Sequence, residues 1–63
     1  MPLVQISLVE GRGADRKREL IRTVTQSIVE ALEVDPAQVR VLIYELSPGA
    51  WGVGGQTKDE TGA

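Results

Sequence analysis

The run VRVLIYEL, Val39–Leu46, decides the fold. Branched and aromatic side chains pack well on a pleated surface, so a run this rich in Val, Ile and Tyr reads as a β-strand. Val39, Val41 and Ile43 alternate with Leu42, Tyr44 and Leu46, which makes both faces of that strand look largely buried. Just ahead of it, Asp35 and Pro36 read as the cap and first residue of one short helical turn. Further back, Leu20, Ile21, Val24, Ile28, Ala31 and Leu32 recur at spacings of three, four and seven, laying one apolar stripe along a helix over residues 14–32. Gly11, Arg12 and Gly13 form the turn before it, with Gly13 as an acceptable N-cap. The first strand is LVQISLV, Leu3–Val9, with Val4, Ile6 and Leu8 on one face and Gln5 and Ser7 interrupting the other.

Two strands whose starts lie more than thirty residues apart, with a helix between them, have the length of a βαβ unit, so the strands are expected to be parallel with a right-handed crossover. The fold class is therefore α+β, a single βαβ unit followed by a small hairpin in GAWGVGG, residues 49–55. The polar end QTKDETGA, residues 56–63, reads as a frayed, flexible tail. The whole chain, residues 1–63, reads as one domain.

Composition limits what such a domain can be. A chain of 63 residues with no cysteine and no histidine has neither disulfides nor a typical zinc site to staple it. With no Phe, one Trp and one Tyr, its core must come from Val, Ile, Leu and Ala. A two-stranded sheet is not independently stable, so association with other subunits is the remaining stabiliser. Seven Lys and Arg against nine Asp and Glu give a net charge of −2, which offers no footprint for nucleic acid. A strand-and-helix DNA-binding dimer would need basic side chains on the first strand, which presents Gln5 and Ser7 instead. No apolar run reaches the roughly 20 residues of a membrane span and no leader pattern opens the chain, so a cytoplasmic protein is expected. No cofactor or metal is expected either. The glycines of residues 49–55 lack the Lys-Ser/Thr pair and the following helix of a phosphate loop.

With histidine and cysteine absent, the notable candidate for proton transfer is Pro2. Removal of Met1 before this small residue would leave a free secondary amine, and an α-amino group titrates near about 7.7–8.0. A proline at the head of a strand also has a purely structural use, since no ladder N–H is needed there. Its companions give it weight: Arg12 in the glycine turn, Arg40 at the second position of the second strand, and Trp51 in the glycine-rich segment. Ten residues of chain put Pro2 and Arg12 about 30 Å apart within one subunit, so they meet only if two chains pair antiparallel. Arg40 begins the parallel strand and lies on the Pro2 edge. The run Arg16, Lys17, Arg18 reads as a solvated helix face. Glu10 and Glu45 are not brought together by spacing. Tyr44, on the Arg40 face, reads as an interface residue.

The segments MPLVQISLVEGR, VRV and WGVGG resemble the 4-oxalocrotonate tautomerases and the wider tautomerase superfamily, over residues 1–55. The resemblance implies that Pro2 is the general base, that Arg12 and Arg40 bind substrate and assist catalysis, and that Trp51 lines the pocket. It implies an isomerase moving a proton within an unsaturated 2-hydroxy or 2-oxo acid, such as the dicarboxylate 2-hydroxymuconate. It also implies dimers with a four-stranded sheet, assembled as a homohexamer, and a place in aromatic hydrocarbon catabolism or in making a specialised metabolite. Members more often carry Phe at the Trp51 position. Relatives that hydrate acrylates carry a glutamate where this chain has Val53, which argues against hydratase chemistry. A non-catalytic partner subunit in a hetero-oligomer is the competing expectation, and a chain that retained Met1 would be inactive because its proline nitrogen would be an amide.

Overall fold

In the computed structural model, residues 1–61 are described. The first strand, β1, covers Leu3–Val9, and the helix α1 covers Ala14–Leu32. After a 3-10 turn at Pro36–Gln38 comes β2, Arg40–Leu46, starting one residue later than the sequence indicates. A second 3-10 turn at Pro48–Ala50 leads to the short strands β3, Gly52–Val53, and β4, Gln56–Thr57, and then to a one-turn helix, α2, Lys58–Thr61. No helix among the described residues is long and apolar enough to cross a membrane.

β1 and β2 pair in parallel, in a register running from Leu3 opposite Arg40 to Val9 opposite Leu46. The ladder extends past both strands: the Arg40 amide donates to the Pro2 carbonyl at 3.0 Å, and the Glu10 amide donates to the Leu46 carbonyl at 2.8 Å. Because side chains alternate across a pleat, Val4, Ile6 and Leu8 share one face with Val41 and Ile43. All five are half-buried, as are Leu20, Val24 and Ile28 on the apolar stripe of α1, which packs against β2. Lys17 crosses from α1 to β2, its Nζ 2.8 Å from Glu45 Oε1.

The opposite face of the sheet is uncovered, which corrects the expectation that both faces of the second strand are buried. Leu3 is 57% exposed and Tyr44 47% exposed, with Leu42 and Leu46 beside them. The Gln5 side-chain amide donates to the Tyr44 hydroxyl at 3.2 Å across this open face. Val39, 8% exposed, is the only buried apolar side chain among the described residues. One helix can cover one face of two strands, and nothing among the described residues covers the other.

The carboxyl-terminal segment also differs from expectation. The hairpin comprises residues 52–57, not 49–55, and its turn is Gly54–Gly55 with φ of 62° and 87°. Two successive positive φ values are the pattern of a type I′ turn, which glycine adopts without a steric penalty. The residues expected to fray from Gln56 onward instead form β4 and α2, and only Gly62 and Ala63 of that tail lie outside the described residues. The cause is a hydrogen-bonded cap. Glu60 Oε2 accepts from the Thr57 amide at 3.0 Å, while the Thr57 hydroxyl bonds the Asp59 carboxylate. The return bond from Glu60 is one half of a capping box, and the Thr-x-x-Glu spacing of Thr57 and Glu60 is its signature in the sequence. The Lys58 amide then donates to the Trp51 carbonyl at 2.8 Å, tying α2 to the segment that carries Trp51. Glu60→Ala is expected to speed hydrogen exchange at the Lys58 amide about fivefold, the effect of losing one cap worth ~1 kcal/mol, with a matching shift in Trp51 emission.

Candidate active site

The residues singled out in the sequence divide between the two ends of the sheet. Pro2 stands at the head of β1, half-buried, with Met1 beyond it 83% exposed. Arg40 opens β2 directly opposite Leu3 and bonds to Pro2 through its backbone. Its guanidinium turns back over the first 3-10 turn, where Nη1 donates to the Ala37 carbonyl at 2.8 Å. That turn is fixed by Asp35, whose Oδ1 accepts from the Ala37 amide at 2.9 Å. Pro2 and Arg40 therefore occupy the same end of the sheet, as their order in the chain implies.

Arg12 leaves from the other end. Gly11, with φ of 128°, lies between β1 and Arg12 in a conformation that L side chains rarely adopt, so the chain can turn off the strand there. Arg12 then lines a cavity of about 400 Å³ with Leu8, Arg16, Lys17 and Leu20. Trp51 follows β2 at this same end of the sheet. It is half-buried, its amide donating to the Pro48 carbonyl at 3.3 Å and its carbonyl accepting from Lys58. Seven residues of strand at about 3.3 Å each put roughly 20 Å between the two ends. One chain thus has Pro2 and Arg40 at one end of the sheet and Arg12 at the other, with Trp51 in the segment that follows β2 there.

Charge pairing separates these arginines from the rest. Arg18 Nη1 is 2.8 Å from Asp15 Oδ1, Arg22 pairs with Glu19, and Lys17 pairs with Glu45. Arg12, Arg16 and Arg40 have no carboxylate partner among the described residues, and all three are exposed. An exposed guanidinium can donate two parallel hydrogen bonds to a planar carboxylate; Arg12 and Arg16 have their forks open for this among the described residues, whereas Arg40 already gives Nη1 to the Ala37 carbonyl. The basic run is therefore not uniform. Arg18 is a solvated, paired side chain as expected, whereas Arg16 and Lys17 line the Arg12 cavity. Sequence spacing does not reveal this, because it depends on how the start of α1 and Leu8 of β1 come to line one cavity. Glu45, unassigned from sequence, is the anchor of Lys17, and Tyr44 lies on the open sheet face.

Comparison with known proteins agrees with this architecture. Residues 2–60 match the family model described as tautomerase enzyme. The chain is 41% identical over 56 residues to a 2-hydroxymuconate tautomerase of Pseudomonas putida, covering 89% of each. Its fold is similar to that of a 4-oxalocrotonate tautomerase isozyme from Methylibium petroleiphilum, with a TM-score of 0.94, 39% identity, and coverage of 98% of this chain and all of that one. It is also similar to a chain of a heterohexameric 4-oxalocrotonate tautomerase from Chloroflexus aurantiacus, with a TM-score of 0.91, 38% identity, and coverage of 95% and 97% respectively.

Proposed function

The chain belongs to the tautomerase family, whose members are isomerases, and from that footing we propose that it converts an unsaturated 2-hydroxy acid to its 2-oxo isomer with the amine of Pro2 as base. The observation that carries this reading is the division of Pro2 and Arg40 from Arg12 and Trp51 across a sheet with one open face. If two chains pair their first strands antiparallel, the Pro2 end of one lies beside the Arg12 end of the other. Four half-sites then become two complete sites.

Each group has a definite part. With Met1 removed, the Pro2 nitrogen has a lone pair, and guanidinium charges nearby disfavour its protonated form. It takes the proton from the 2-hydroxyl of the dienol, electron density moves along the conjugated chain, and the ammonium returns a proton to a distal carbon. Arg40 stabilises the negative charge that builds on the oxygen at C2, Arg12 holds the carboxylate at the far end, and Trp51 walls off water. 2-Hydroxymuconate, a product type of aromatic-ring breakdown, has a carboxylate at each end and fits this scheme.

The assembly consistent with this scheme is a homohexamer of three such dimers, in the cytoplasm. The Chloroflexus relative, a heterohexamer, supports a second reading in which this chain is one of two unlike subunits. Retention of Pro2, Arg12, Arg40 and Trp51 in one sequence favours self-sufficiency. Purified protein whose intact mass confirms loss of Met1 is expected to ketonise 2-hydroxymuconate, followed by ultraviolet absorbance, and to sediment as an oligomer. Absence of conversion would reject the substrate, and a monomer would reject the shared site.

A further inference from the structure

The cavity beside Arg12 carries more positive charge than one arginine supplies. Three of its five lining residues are cationic, Arg12, Arg16 and Lys17, and the other two, Leu8 and Leu20, are half-buried apolar walls. Like charges gathered on one cavity are unfavourable unless something answers them. Lys17 is answered by Glu45 at 2.8 Å. The nearest acid on the helix, Asp15, is engaged by Arg18, and Glu19 by Arg22. Glu10 makes no ion pair among the described residues and is not part of the lining. Arg12 and Arg16 are left facing one space, four positions apart, with both guanidinium groups lacking a carboxylate partner among the described residues.

A carboxylate has about four lone-pair sites, enough to accept from two guanidinium groups at once. Such charge-assisted bonds are roughly twice as strong as neutral ones. We propose that Arg16 is a specificity-determining residue: together with Arg12 it binds the carboxylate at the far end of the substrate, so that the enzyme selects dicarboxylates over monocarboxylates. The proposal rests on the assignment of Arg12 to the substrate site. Lys17 is held against Glu45 and serves as wall, and Arg18 is turned to Asp15, so of the three consecutive basic residues only Arg16 has its charge available to a ligand.

The test compares wild type, Arg16→Gln and Arg16→Lys on 2-hydroxymuconate and on 2-hydroxypenta-2,4-dienoate, which has the same dienol but one carboxylate. Arg16→Gln is expected to raise KM for the dicarboxylate about tenfold, the loss of one charge-assisted hydrogen bond, with kcat unchanged within about twofold. KM for the monocarboxylate should not move, and Arg16→Lys should recover part of the loss. Equal effects on both substrates, or none on either, overturn the proposal. Titration with trans,trans-muconate, a dicarboxylate without the enol, reads the same interaction without turnover. If wild type converts neither dienol, the reading of the reaction fails, yet weaker muconate binding in Arg16→Gln still supports Arg16 as an anion ligand. Unchanged muconate affinity in that variant overturns it.

Discussion

Protein carrying one leucine inserted between Met1 and Pro2 is expected to lose roughly 10²- to 10⁴-fold in kcat, the span that a positioned general base contributes. Leucine is too large to permit removal of Met1, so the proline nitrogen stays in an amide, with no basic lone pair. The insertion is benign for the fold. Met1 is 83% exposed, and the Pro2 carbonyl that accepts from Arg40 is untouched. Far-ultraviolet circular dichroism and sedimentation should match wild type, and ketonisation kinetics read the loss. Pro2→Ala is the gentler companion, since alanine still offers a primary amine at the terminus; it should fall between wild type and the inserted protein. A fully active insertion protein removes Pro2 from the mechanism.

Arg12→Ala alone should lose about 10- to 100-fold in kcat/KM, the range expected when a charge-assisted hydrogen bond to substrate is removed. Its more decisive use is in a mixture. When Arg12→Ala chains and Leu-inserted chains are unfolded together and refolded in equal amounts, activity should exceed that of either parent. A site that takes Pro2 from an Arg12→Ala chain and Arg12 from a Leu-inserted chain is intact, which random pairing across a two-fold interface makes true of about a quarter of sites. If Pro2 and Arg12 served one site from one chain, no intact site could form, and the mixture would show the mean of its parents. The roughly 20 Å between the two ends of the sheet is the physical basis for expecting rescue.

The strands and α1 were legible because each announces itself in a short window. Alternation in LVQISLV, the helical stripe from Leu20 to Leu32, and the Asp35-Pro36 cap are all local. The placement of Arg40 beside Pro2 follows from the same local reading, since parallel strands put their first residues together. Two features escape a reading by polarity and periodicity, for different reasons. The ordering of residues 56–61 depends on hydrogen bonds from Glu60 to the Thr57 amide and from Lys58 to the Trp51 carbonyl. Polarity alone makes the segment look like a tail; the Thr57-x-x-Glu60 spacing is the signal in the sequence that it is capped. Arg16 lines one cavity with Arg12, Leu8 and Leu20, a relation between the start of α1 and the end of β1 that is invisible in the charge pattern. Both faces of β2 are apolar in sequence, but among the described residues only one of them is covered.

That uncovered face, with Leu3, Leu42, Tyr44 and Leu46 open to water and Val39 the only buried apolar side chain among the described residues, ties the amount of working enzyme to the amount of chain by more than proportion. A protomer with so little interior gains most of its stability from its partners, and whatever binds only the folded form raises stability by mass action. The melting temperature should therefore climb with protein concentration. On dilution, specific activity should fall and not stay constant. In a cell the consequence is one of dosage: halving expression should remove more than half of the catalysis, and a newly made chain has a limited time to meet a partner subunit before its apolar face meets something else.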